Sequence, residues 1–211
     1  MLLTAFLLQA CSNSYKNLQA VSNAKNDCVV KFQPTFKRAL YNTQVNILHT
    51  HLSGLLLIKQ MPDSSTRLVF STETGFKFFD FEFDHTGVFT VHYIIDKMNR
   101  KAVVNTLRSD FELALMKHIE NKQPAIFKKD NLLFYRYENN ETFDYYVTDS
   151  SCNKLVRIEK AGKKKSSMQM IMNNYNDGIP DTIGITHKHL NFNIGLKLLK
   201  PGVIETNSTQ Q

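Results

Sequence analysis

Apolar and polar positions alternate through much of this 211-residue chain. Phe79, Phe81 and Phe83 share one side of an extended segment, with Asp80 and Glu82 between them. That period of two marks a half-buried strand, whose successive side chains point to opposite faces. Asp84-His85-Thr86-Gly87 reads as a turn. The returning strand then puts Phe89, Val91 and Tyr93 on one face and Thr90 and His92 on the other. The same reading predicts strands near 52–60, 66–72, 76–83 and 88–95, joined at Pro62-Asp63-Ser64-Ser65 and Glu73-Thr74-Gly75. After Pro124 strands resume, near 131–138, 141–148, 153–159, 166–173, 182–187 and 192–199. Asp177-Gly178-Ile179-Pro180 is read as another hairpin turn.

The period changes at Asp96. Val103, Leu107, Phe111, Leu115 and Ile119 recur at helical spacing, and Ser109 followed by Glu112 has the form of a capping box. This predicts two helices broken near Arg108. A further short helix is expected after Pro34, where Phe36 and Leu40 are spaced for one face. The predicted class is mainly β with helices (α+β), with the strands in one strongly curved antiparallel sheet.

The length suits one domain with a sizeable core. The 26 Lys+Arg against 19 Asp+Glu give +7. No basic stripe is interleaved with aromatics, so nucleic acid is not an expected partner. At the N-terminus "MLLTAFLLQAC" is apolar but too short for the about 20 residues of a membrane span. It suits a secretory signal, and the small residue before Cys11 resembles a bacterial lipobox. On that reading residues 1–10 are a signal remnant, Cys11 carries lipid, 11–30 form anchor and tether, 31–200 the folded domain and 201–211 a flexible tail. Cys28 and Cys152 remain, and in an exported protein a bridge between them is favoured.

The stretches "HLSGLLLIKQ", "RLVFSTETGFKFFDFEF", "FTVHYIIDKMNRKAVVNTLRSDFELAL" and "IPDTIGITHKHLNFNIGLKL" resemble the LolA/LolB lipoprotein-carrier superfamily. Their wording is nearer still to outer-membrane lipoproteins of Bacteroidetes-type bacteria. The resemblance implies an unclosed half-barrel, here of about ten to eleven strands, with helices covering its concave side and space for acyl chains beneath them. The candidate lining is Phe79, Phe81, Phe83, Phe89, Val91 and Tyr93, with Val103, Leu107 and Phe111 from the helical segment and Met168, Met170 and Met172 from a later strand. Uncharged apolar walls would suit hydrocarbon. The expected partner is then a lipid or the acyl chain of a lipoprotein. The alternative is a docking lipoprotein in an envelope complex, with the same space filled. In either case the chain is expected at the outer membrane, anchored through Cys11 and facing the periplasm.

Lys160, Lys163, Lys164 and Lys165 read as a basic hairpin tip able to face a membrane. The pairs His49/His51 and His187/His189 have the spacing of strand chelators but no acidic or thiol ligand nearby in sequence, so no metal or other cofactor is expected. Nucleophile-elbow, zinc-protease and phosphate-loop motifs are absent, and no enzyme is expected.

Overall fold

The computed structural model describes residues 14–22, 27–47, 50–119, 122–139 and 141–200. Cys11, His49, the signal segment and the C-terminal tail fall outside these. Thirteen strands make one antiparallel sheet: β1 (Gln19–Ala20), β2 (Arg38–Ile47), β3 (Thr50–Gln60), β4 (Thr66–Ser71), β5 (Lys77–Phe83), β6 (Phe89–Ile94), β7 (Ala125–Lys129), β8 (Leu132–Asn139), β9 (Thr142–Asp149), β10 (Leu155–Ala161), β11 (Ser166–Asn176), β12 (Ile179–His187) and β13 (Phe192–Leu198). The spatial order is β1-β7-β8-β9-β10-β11-β12-β13-β2-β3-β4-β5-β6. Among the described residues β1 and β6 are therefore free edges, and the sheet is not closed. β13 bridges the two halves of the chain by pairing Phe192 with Ile47 and Ile194 with Val45.

The expected α+β class with several covering helices is overturned. The described chain is 55% strand and 11% helical, and it contains one α-helix, α1 (Lys101–Ala114). No break occurs at Arg108, which instead meets Glu112 at 2.8 Å one turn on. Ser109 lies inside the helix, so there is no capping box. α1 stops after Ala114, and Met116 takes a positive φ of 52° with its side chain in the core. The helix expected after Pro34 is β2. There Ala39, Tyr41, Thr43, Val45 and Ile47 are buried in strict alternation, and this period of two outweighs the four-residue spacing of Phe36 and Leu40.

Two glycines are demanded by close approach. A Cβ on Gly54 would sit 2.1 Å from the Ser71 carbonyl oxygen, so β3 passes β4 there only without a side chain. Asp177 and Gly178, both at positive φ, form the two-residue β11–β12 turn. Thr35 donates its N–H to the Gly178 carbonyl, and a Cβ on Gly178 would meet its Oγ1 at 2.4 Å.

The main core lies on the face that α1 covers. A smaller core on the other face joins Phe134, Tyr145, Val147 and Ala161, with Tyr15 and Leu18 packed against them. Tyr15 stacks on Tyr145 at 4.4 Å between ring centroids. Residues 14–22, where composition suggests a tether, thus lie against the sheet.

Candidate functional site

The alternating phenylalanines of β5 point inward beneath α1. Phe79 and Phe81 stack at 4.3 Å, Phe111 meets Phe79 at 5.8 Å, and Phe79, Phe81, Phe83 and Phe111 are all 0–1% exposed. Val103, Leu107, Met168, Met170 and Met172 belong to the same core, and Phe89 packs half-buried at its margin. The expected acyl space is therefore occupied by the protein's own side chains.

Of the candidate lining residues, Tyr93 is on the other face and Val91, opposite Phe81, lies at the exposed edge. β6 pairs with β5 through a bulge: Phe81 faces Val91, but Asp80 faces Tyr93 and Phe79 faces Ile94. The extra residue turns Tyr93 to the outer face and hands its place to Ile94. Val91 and Tyr93 are 39% and 43% exposed on the free edge strand. Sequence alternation cannot reveal such a slip.

The covered wall is also not free of charge. An inward row runs Asp144–Lys160–Met168–His187 across β9 to β12. Lys160 Nζ lies 3.3 Å from Asp144, and His187 Nε2 lies 2.9 Å from the Asp110 carboxylate on α1. The His187 ring is held by stacking on Phe192 at 5.0 Å. Burial pushes the Asp110 carboxyl above its usual range, and the hydrogen bond from His187 offsets part of that. A recess of about 310 Å³ beside this row is lined by Ser109, Asp110, Lys160, Ser167, His187 and His189, among others. Of its polar groups, Ser167 Oγ donates to the Lys160 carbonyl, while Ser109 Oγ is buried with no hydrogen-bond partner among the described residues. The result is a clamp joining α1 to the sheet. Lys160, expected at the basic tip, is part of this clamp.

A second recess, of about 270 Å³, opens at the start of α1 and is lined by Ile47, Leu52, Ile95, Met98 and Val103 beside Thr50, Lys97 and Arg100. It falls just below the about 300–1,000 Å³ usual for small-molecule pockets.

On the outer face, Arg67 bridges Asp80 and, at 2.9 Å, Glu82, while Lys77 reaches Asp80 at 2.7 Å. Burial alone would raise the Asp80 carboxyl, but Arg67 and Lys77 outweigh it and hold it below the usual carboxylate range. Cys28 and Cys152 form a disulfide that ties a 3₁₀ turn at Val29–Phe32 to the β9–β10 connection. Among the described residues no cluster of three metal-ligating side chains occurs, and His51 instead meets Asn46 at 2.7 Å.

No family model and no curated protein matches this chain. Among solved structures it is similar to a DUF1329 family protein from Desulfovibrio piger, with a TM-score of 0.47 and 10% identity over 83% of this chain and 90% of that one. It is also similar to a protein domain from Vibrio parahaemolyticus described as putative outer membrane lipoprotein-sorting, with a TM-score of 0.45 and 10% identity over 82% of this chain and 88% of that one. Each is a resemblance in backbone arrangement alone.

Proposed function

We propose that this chain is an envelope lipoprotein that performs no chemistry and holds a protein partner on its outside, anchored at the outer membrane and facing the periplasm. The observation that carries this reading is where large apolar side chains are spent. Beneath α1 they fill the space a carrier would keep open. At the margin of the sheet, Val91 and Tyr93 stand exposed on β6, whose outer backbone edge has no strand beside it among the described residues. Proteins usually blunt such edges with charge or proline, and β6 (FTVHYI) has neither beyond His92. An extended segment of a partner would add here as a fourteenth strand, with main-chain hydrogen bonds for affinity and Val91 and Tyr93 for selectivity.

Acyl-chain binding is the second reading, favoured by the apolar recess at the start of α1. The two are separated with Cys11→Ser protein purified without detergent, by native mass spectrometry and titration with a fluorescent fatty acid. Docking expects the bare polypeptide mass and no uptake. A stoichiometric lipid, or saturable uptake of the fatty acid, overturns it in favour of the carrier.

A further inference from the structure

We propose that one end of the sheet is a cationic seat for a bilayer containing anionic phospholipid. Every pairing is antiparallel, so successive connections alternate between the two ends of the strands. The β4–β5, β10–β11 and β12–β13 connections and the β6–α1 connection all fall at one end. They carry Lys97, Arg100, Lys163, Lys164, Lys165 and Lys188, with Lys101 at the start of α1. All seven are exposed, against only Glu73 and Asp96 in the same four connections. Among the described residues none of the seven is held in an ion pair. Glu141, on the β8–β9 connection at the same end, adds one further carboxylate.

The opposite end carries no such excess. Its β3–β4, β5–β6, β7–β8, β9–β10 and β11–β12 connections carry Asp63, Asp84, Asp130 and Asp177, which offset Lys154 and the cations of the adjoining segments, among them Lys37 before β2 and Lys59 and Lys129 at strand ends. The chain's excess of positive charge is thus sorted along the strand axis, which orients the molecule in the field of an anionic surface. A solvated surface that served only solubility would have no reason to segregate by end.

The cationic end also exposes two large apolar side chains. Phe76 is 57% exposed, and it precedes β5 instead of opening it as the sequence suggests; Leu190, on the β12–β13 connection, is 52% exposed. Basic groups around exposed apolar anchors are the combination that seats a protein at the headgroup boundary. An extended chain spans about 3.5 Å per residue, so a lipid on Cys11 stays within about 14 Å of Tyr15, and Tyr15 is bonded to Glu159 near this end of β10. This inference stands apart from docking at β6 and has its own test.

The chain contains no tryptophan, so single substitutions report location. In Cys11→Ser protein, Phe76→Trp and Leu190→Trp should shift to the blue on vesicles of phosphatidylcholine with phosphatidylglycerol, but not on phosphatidylcholine alone. Val88→Trp, exposed on the β5–β6 connection at the other end, should not shift on either. Each cation at such a surface is worth about fivefold in affinity, so Lys163→Gln/Lys164→Gln/Lys165→Gln should bind about a hundredfold more weakly. Lys37→Gln/Lys59→Gln/Lys154→Gln removes the same charge from the other end and should retain binding. Equal weakening by the two triple variants, a shift at Val88→Trp matching that at Phe76→Trp, or no binding to the anionic vesicles overturns the proposal.

Discussion

Substituting Phe81 by Ala separates a filled core from a binding cavity. The ring is fully buried, stacks on Phe79 at 4.3 Å and meets Phe89 edge-on at 5.1 Å. Removing a packed phenylalanine costs about 3–5 kcal/mol, from lost transfer energy and the void left behind. The two ring contacts add about 0.5–1.5 kcal/mol each to what burial alone supplies, which argues for the upper part of that range. A ring lining an open space would lack neighbours on one side, and its loss would cost well under half as much. The assay is urea unfolding followed by fluorescence of the tyrosines, comparing native protein, Phe81→Ala and Phe81→Leu. The filled-core account expects the full loss for Ala and an intermediate one for Leu. It also expects Phe81→Ala to gain affinity for benzene-sized apolar molecules that native protein does not bind. A loss below about 1 kcal/mol for Phe81→Ala would refute the packing argument and with it the docking reading.

The remaining predictions concern the disulfide and the two buried carboxylates. Cys28–Cys152 spans 124 residues, so Cys28→Ser/Cys152→Ser should lose about 4–5 kcal/mol by chain entropy, read as a lower urea midpoint that reductant reproduces in native protein. Asp80 has a depressed folded pKa, so its contribution is present above the unfolded value of about 3.9 and is lost as pH falls through the folded value. Asp80→Asn should therefore cost about 1.5–3 kcal/mol near neutral pH, and its deficit should vanish on acidification; a deficit constant with pH would exclude the ion-pair account. Asp110 has the opposite sign. Its folded pKa is raised, so the stability it contributes is fully present below the unfolded pKa and is lost as pH rises through the folded one. Asp110→Asn keeps an oxygen for His187 without a buried charge, and its stability relative to native protein should rise with pH; a relative fall would mean that the ionised pair is the stabilising form.

Ten of the thirteen strands are legible because their alternation is long and their turns carry Asp, Gly or Pro. The others fail for separate reasons. β1 is two residues long and β7 five, too short for a period to show. β2 hides because Thr43 occupies a core position among apolar ones. The buried stack was legible from the period of Phe79, Phe81 and Phe83, but the outward turn of Tyr93 depends on one bulge. Whether the space was filled could not be read, because Leu107 and Phe111 have the same spacing over a packed wall as over a hollow one. The Asp110–His187 clamp joins residues 77 positions apart and leaves no local signal. The cationic end is hidden for a topological reason: only the pairing of β13 with β2 puts the tips at Lys163–Lys165 and at Thr72–Phe76 on the same side.

The free edge and the cationic end are orthogonal features of one sheet. β6 runs along the strand axis, and the cationic connections lie at the end of that axis. With that end against a bilayer, the strands stand along the membrane normal and the β6 edge faces sideways, parallel to the membrane plane. A partner strand added to β6 would rise away from the membrane instead of competing with it. The two surfaces share no residue, and changes at distant independent sites usually add. Val91→Lys/Tyr93→Lys should therefore leave vesicle binding as it is in native protein, apart from the modest gain that two extra lysines bring. A loss of binding in this double variant would show that the edge itself lies on the lipid, and the sheet would then have to rest on its side with β6 unavailable to a partner.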